Sequence, residues 1–333
     1  MRRMSVVNVF CFFGLMALLW LRPVREESSS LDRWMGPDQQ KLHVLSTTRM
    51  CASLVEAVGG ENVAVYTLID EDLDPHSYQL VKGDAEKFRR ADLIFANGLH
   101  LEHGRSLKKL LEQEKTIFLG DKVREKQPEL FLPMDQGVDP HFWMDVSLFS
   151  QIVPYIVAAL SEKDPIHKAL YAERGAALID SLARLDREIS GKMQSIPKER
   201  RYLVSSHDAF QYFARRYLAE EIEESIGKPI GGKAEWETRF LAPEGVSPDG
   251  QIGPIDIQKI IEHVVAHKVA VVFAESNISK DSLNKIVEAC QQQSVALRLA
   301  KTELFADSMG VDTYPKMMEH NARVIHQELT DAN

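Results

Sequence analysis

The sequence predicts an α/β fold of two helix-flanked, parallel-sheet lobes, joined by one long rigid helix, with a metal site in the cleft between the lobes. Three observations carry this expectation. Short β-rich runs alternate with helical runs in both halves of the 333-residue chain, which is the pattern of parallel strands connected by helical crossovers. Between the halves, the stretch from Ile166 to Ile196 holds no proline and no strand run. Three histidines and one aspartate, His76, His141, His207 and Asp307, fall where one element gives way to the next.

Taken in order, Arg2 and Arg3 precede an apolar run from Val6 to Leu21, a basic n-region followed by an apolar h-region. Residues 1–22 are therefore expected to be an export signal, either cleaved or retained as a short anchor. A lipid anchor would need a cysteine just after that run, whereas Cys11 lies inside it. Residues 23–40 contain Arg25, Glu26, Glu27 and three consecutive serines, a composition expected of a flexible tether.

The N-terminal lobe is expected over residues 41–164. Leu42–Leu45, Val63–Ile69, Leu93–Ala96 and Thr116–Leu119 read as strands, and Thr48–Val58, Asp84–Ala91 and Leu101–Glu114 as helices. Gly59 and Gly60 end the first helix, whose Met50, Leu54 and Val58 share one face. The linking helix is expected over 165–197, with Leu178, Leu182, Leu185, Ile189 and Met193 at helical spacing and Pro197 closing it. At 1.5 Å per residue it would run about 45 Å, longer than one lobe is wide, so it reads as a strut that permits the lobes only a slight tilt.

The C-terminal lobe, 198–333, repeats the alternation. Tyr202–Ser205, Val269–Ala274 and Val295–Leu299 read as strands, and Ala209–Tyr217, Ile255–His267, Leu283–Gln293 and Tyr314–Leu329 as helices. The Gly- and Pro-rich stretch from Gly227 to Pro254 reads as a long loop, of the kind that serves either turn chemistry or docking.

Composition excludes several classes. About 290 residues remain after the tether, at 44% hydrophobic composition over the whole chain, enough for two modest cores. A net charge of −9 with no basic stripe argues against nucleic acid. Cys51 and Cys290 lie in different halves and outside any Cys-x-x-Cys, so both read as small buried hydrophobes. No helix carries an extended a/d seam, and a monomer is expected.

The chemistry concentrates in four places. Asp-Pro-His occurs twice, as Asp74-Pro75-His76 and Asp139-Pro140-His141. Proline fixes its own φ and pushes the preceding residue towards extended geometry, so each triplet is a rigid turn that presents an imidazole. Such a turn is also ordinary punctuation; two of them together favour the ligand reading. His207 stands in Ser205-Ser206-His207-Asp208 and Asp307 in Phe305-Ala306-Asp307-Ser308. Successive separations of 65, 66 and 100 residues match no local zinc-finger spacing, so only the fold could assemble a site, with two ligands from each lobe. Three imidazoles and a carboxylate suit zinc, manganese or ferrous iron.

Eight other histidines compete. His167, His263 and His326 fall on predicted helices and read as solvated surface groups, while His100 and His103 follow the third strand and could line the cleft. His43, His267 and His320 complete the eight.

Together with the export segment and the long helix, Asp74-Pro75-His76-Ser77-Tyr78, Asn97-Gly98-Leu99-His100-Leu101-Glu102, Asp139-Pro140-His141-Phe142-Trp143-Met144-Asp145, Ser206-His207-Asp208-Ala209-Phe210 and Phe305-Ala306-Asp307-Ser308 occur in order. This ordered set, over residues 41–330, resembles the metal-binding solute receptors of ABC importers, the family of TroA, PsaA and ZnuA, and within it the chlamydial YtgA-like branch. The resemblance implies a periplasmic receptor, not an enzyme, that captures one zinc, manganese or iron ion as its transported ligand. It would deliver the ion to a membrane permease working with a cytoplasmic ATPase. It also implies His76, His141, His207 and Asp307 as the ligands, with no catalytic or cofactor-binding residues. The His-rich loop that zinc receptors often carry has no counterpart between Lys41 and Pro165.

A reading from a different class is a metal-dependent hydrolase. That chemistry needs an open coordination position and a nearby base, for which Asp208 and Glu275 are the candidates. Four protein ligands would close the site and favour the receptor. Since ligand imidazoles must be neutral, affinity for metal is expected to fall as pH drops through roughly 6 to 5.

Overall fold

The computed structural model describes residues 30–36, 41–69, 73–112, 115–134, 137–219, 229–230, 233–245 and 253–331. The export signal expected over 1–22 lies outside them. Where a tether was expected, Ser30–Met35 forms a short helix, α1. Its physical cause is Trp34, an aromatic side chain in an otherwise polar stretch, which is buried against His43 and Tyr66 and donates from Nε1 to the Ala64 carbonyl at 2.9 Å.

The first lobe is a four-stranded parallel sheet. Strands β1 (Leu42–Ser46), β2 (Val63–Thr67), β3 (Leu93–Ala96) and β4 (Thr116–Phe118) pair in the order β2-β1-β3-β4. All four residues of β3 are buried, as a strand covered on both faces must be. Helices α2 (Arg49–Gly59), α3 (Asp84–Arg90) and α4 (Arg105–Leu111) are the crossovers. Three further helices follow, α5 (Leu119–Lys126), α6 (Val146–Ser150) and α7 (Val153–Lys163), in a stretch that the sequence left unassigned.

The long helix α8 spans Lys168–Gln194, 27 residues, after a 3₁₀ turn at Pro165–His167. It is tied at both ends. Near its start Arg174 donates to the Gly59 carbonyl, Asn62 and Glu61 of the first lobe. Further along, Asp186 accepts from Arg216 Nε at 3.0 Å and from the Tyr217 hydroxyl at 2.9 Å in the second lobe. Gly175 allows α7 to lie close against α8, since a Cβ there would stand 2.5 Å from Val157 Cγ2.

In the second lobe come β5 (Leu203–Val204), then α9 (Gln211–Phe213), which runs on as a π-helical turn over Ala214–Leu218. The stretch read as a long loop contains structure: a small antiparallel pair, β6 (Pro229–Ile230) with β7 (Lys233–Ala234), a 3₁₀ turn at Glu235–Thr238, and β8 (Phe240–Leu241), which pairs in parallel with β5. Two-residue strands carry too little alternation to be seen in sequence. The chain continues with α10 (Pro254–His267), β9 (Val271–Val272), α11 (Asp281–Gln292), β10 (Arg298–Leu299) and α12 (Tyr314–Asp331). A parallel bridge between Ser205 and Phe273 joins the pairs into the order β8-β5-β9-β10.

Two separate cores were expected, and the packing differs. The principal core is continuous across both lobes, from Val44, Leu54 and Phe95 through Leu182 and Met193 to Phe213, Phe273 and Met317. Each sheet keeps only a smaller cluster on its outer side. The final helix returns to the first lobe, where the Tyr314 amide donates to Ser53 Oγ at 2.9 Å and Arg49 donates to the Asp312 carbonyl at 2.8 Å. Among the described residues no helix is long and apolar enough to cross a membrane.

A shared core and a strut pinned at both ends resist hinge closure. Solution scattering with and without a divalent metal should give radii of gyration within about 1 Å of each other, the scale of small shear rather than hinge motion. A fall of several ångströms would show that the lobes close.

Candidate metal centre

Both Asp-Pro-His triplets fold alike. The aspartate carboxylate turns back to accept the histidine amide two residues on, Asp74 Oδ1 from His76 at 2.8 Å and Asp139 Oδ1 from His141 at 2.9 Å, an Asx turn that fixes where the imidazole points. Asp139 Oδ1 also contacts His141 Nδ1 at 2.7 Å. His207 follows β5, where Glu275, just beyond β9, accepts from the Ser206 and His207 amides at 2.9 and 3.1 Å and from His207 Nδ1. With Nδ1 donating to a carboxylate, Nε2 of both His141 and His207 is the nitrogen that bears the lone pair once the ring is neutral. Asp307 arrives three residues after Leu304, whose amide bonds to the Ala274 carbonyl at 2.8 Å.

The structure brings all four predicted residues together. His76, His141, His207 and Asp307 are buried, and each offers a ligand atom within 4.8 Å of the other three. Nε2 of His76 lies 3.2 Å from Nε2 of His141 and 3.6 Å from Asp307 Oδ2; Asp307 Oδ1 lies 3.3 Å from His141 Nε2, and Oδ2 lies 3.1 Å from His207 Nε2. A tetrahedral centre with bonds of about 2.1 Å sets its ligand atoms about 3.4 Å apart, so the cluster has the size of one ion's shell. His207 Nε2 and both Asp307 oxygens have no hydrogen-bond partner outside the cluster and face only its other members. A cation among them would be held by all three in place of those contacts.

The electrostatics are those of a site that exchanges protons. Burial pushes His76 down to about 3. Burial also disfavours the charged form of His141, but Asp139 and Asp307 outweigh it and hold that imidazole up at about 9. At His207 burial is likewise overcome, by Glu275 and Asp307, and the group sits well above the usual histidine range. Asp307, which burial would raise, is held well below the carboxylate range by His207 and His141.

Groups the sequence did not foresee complete the cleft. Trp143, with its ring 5.1 Å from that of His141, donates from Nε1 to the Ala306 carbonyl at 3.1 Å, tying one lobe's motif to the residue before Asp307. The Tyr212 hydroxyl donates to the Asp139 carbonyl at 2.9 Å, and the Tyr314 hydroxyl to the Trp143 carbonyl at 2.6 Å. The positioning role of Glu275 had one visible signal, an acid ending the apolar run Val271-Val272-Phe273-Ala274. His100 and His103 are exposed and lie outside the four. His167, His263 and His326 are not solvated as expected but half-buried, against Asp164, Tyr202 and Ser195 respectively, because each has a partner within reach.

The sequence profile of the family described as zinc-uptake complex component A, periplasmic, matches residues 44–328. The metal-binding protein YtgA of Chlamydia trachomatis is 37% identical over 303 residues, 91% of this chain and 90% of that one. The crystal structure of its Fe(III)-bound form superposes with a TM-score of 0.81 over 87% of this chain and 98% of the other. The zinc-binding protein TroA of Treponema pallidum is 30% identical over 85% of this chain and 87% of its own length, and its structure superposes with a TM-score of 0.76 over 87% of this chain and 99% of the other. The manganese-binding lipoprotein MntA of Bacillus subtilis is 28% identical over 95% of this chain and 99% of its own length.

Glu275→Gln removes a negative charge from behind His207 while keeping a side chain of the same shape. The protonation of His207 in metal-free protein, followed by NMR of its ring protons, should then move to lower pH. An unmoved titration would show that Asp307 alone sets the proton affinity.

Proposed function

The chain belongs to the family of zinc-uptake complex component A, and we propose that it is the extracytoplasmic solute-binding component of an ATP-driven ABC importer. It captures one divalent metal ion with His76, His141, His207 and Asp307 and delivers it to the membrane permease, which works with a cytoplasmic ATPase. The observation that supports this most directly is the buried shell itself: four ligand atoms within 4.8 Å, three of the cluster's polar atoms lacking any hydrogen-bond partner outside it. With nitrogen and carboxylate donors and no thiolate, the shell accepts zinc, manganese or iron, metals that the names of its relatives span. Of the divalent ions, zinc should bind more tightly than manganese.

The chain is read as a carrier and not an enzyme. The two acids that a hydrolase could use as base are engaged elsewhere. Glu275 accepts three hydrogen bonds from Ser206 and His207, and Asp208 accepts from Gln211 Nε2 at 2.7 Å. The acidic net charge of −9 speaks against a nucleic-acid partner, and the chain is taken to act as a monomer, exported by its N-terminal segment.

Elemental analysis tests the ligand set. The wild type should hold one metal per chain. His76→Ala, His141→Ala and His207→Ala should each weaken zinc by more than about 100-fold, beyond the loss expected for a positioning residue, and Asp307→Ala by less because water can replace one carboxylate. Zinc at about 1,000 times the wild-type dissociation constant should stabilise the wild type by about 4 kcal/mol, read as a rise in melting temperature, and the histidine variants by less than about 1.4 kcal/mol. Full stoichiometry in His76→Ala or His207→Ala would place the site elsewhere.

The carboxylates also move the pH window upward from that of free histidine. Because His141 and His207 are held protonated, with His141 titrating at about 9, zinc must displace their protons. Affinity should rise with pH through neutrality to about 9 and fall steadily below it. Calorimetry at pH 7.5 in buffers of different ionisation heat should register release of about two protons per zinc. Affinity that is flat between pH 7 and 9 would contradict the proton-exchange reading.

A further inference from the structure

Four buried ligands can hold an ion but give it no way in, because an aquo ion sheds its waters singly and each vacated position needs a new donor. Of the four side chains, those of His141, His207 and Asp307 are 0% exposed and that of His76 is 2%. His76 is therefore the ligand side chain nearest solvent. Beside it stands His103, exposed and outside the four, with its ring centre 5.9 Å from that of His76.

That separation can be read against the site itself. The three pairs of imidazoles that would share the captured ion have ring centres 5.2, 5.3 and 6.4 Å apart. An ion about 2.1 Å from each of two ring nitrogens allows centres up to about 6.5 Å apart. The distance from His103 to His76 falls within both limits, a spacing that one ion can bridge when a nitrogen of each ring turns toward it. The chemistry of the outer ring agrees. His103 Nδ1 lies 3.2 Å from the His100 carbonyl oxygen, and a carbonyl only accepts, so Nδ1 carries the proton and the lone pair is on Nε2. His100 is itself fixed: Gly98, Leu99 and His100 all have positive φ, of 80°, 56° and 64°. This strained turn is held by Glu102, which accepts from the Asn97 and Gly98 amides, and by Asp121 on the Leu99 amide. A Cβ on Gly98 would meet Asp121 Oδ2 at 2.2 Å, so the turn requires glycine there. Outside it, His100 and His103 line a cavity of about 340 Å³ with the acids Glu112 and Asp121 and one cation, Lys108.

We propose that His103 is the outer acceptor through which the metal ion reaches and leaves the buried site. The ion is first held from the solvent side by His103 Nε2, is then shared with His76, and passes inward as His141, His207 and Asp307 replace its waters. Release retraces these steps. This rests on the metal-receptor reading of the four buried residues. It adds a fifth that is not a ligand in the final complex.

A residue on the path alters the barrier and leaves the end states alone, so capture and release must change by the same factor. The probe is zinc with His103→Ala. Capture would be followed by stopped-flow through the fluorescence of Trp143, which lies against His141, and release by adding excess chelator. The association and dissociation rates should both fall, by about tenfold, with the dissociation constant and the one-to-one stoichiometry unchanged. Unchanged rates, with stoichiometry intact, would overturn the proposal while leaving the site standing. So would a faster release with weaker affinity, which would make His103 a ligand in the final complex. A wild type that takes up no zinc would overturn the receptor reading itself.

Discussion

The constraint on which the rest of the structure depends is the burial of the Asp307 carboxylate, fully charged, among three imidazoles. Removing a carboxylate from water costs several kcal/mol even after relaxation, and that cost is met only by opposite charge close by. His141 and His207 supply it, each with a second carboxylate behind its far nitrogen, Asp139 or Glu275. These outer acids raise the proton affinity of both imidazoles. In the proposed exchange two protons leave as one dication enters, so the buried charge would be the same in both states.

The same need explains why the cleft walls are tied by aromatic hydroxyls and an indole and not by flexible ion pairs. Tyr212, Trp143 and Tyr314 each donate to a backbone carbonyl beside a candidate ligand. Their rings sit in the core that both lobes share, so the ligands of one lobe are placed relative to those of the other by packing as much as by hydrogen bonds. A cluster in which Asp307 stands 3.1 to 3.6 Å from the three imidazole nitrogens tolerates little misplacement, and a close-packed interior holds its atoms to such tolerance. The helix from Lys168 to Gln194, fixed by Arg174 at one end and Asp186 further along, extends that rigidity through the molecule.

A shared core and a pinned helix pose an exchange problem that a hinged receptor would not have, because a site so held would open little to admit an ion. On the His76 side of the cleft stand the strained turn from Gly98 to His100 and the exposed imidazole of His103.

The parallel α/β alternation, the long linking helix and the two turns that present His76 and His141 were legible in the residues alone. Each of these is a local signal: a run of β-branched residues, a proline-free amphipathic stretch, and a rigid Asp-Pro-His turn written twice. His207 and Asp307 were legible as ligands through the ordered motifs that resemble the family. What the sequence did not hold were relations between distant residues. That Trp34 would be buried on β2 and order the helix Ser30–Met35, that the lobes would share one core, and that β8 would pair beside β5 all depend on surfaces that exist only after the chain has folded. So does the proton affinity of the site. Free imidazole titrates near pH 6.5, and only the tertiary placement of Asp139, Glu275 and Asp307 around His141 and His207, in a cleft closed to water, decides that these two hold their protons to higher pH.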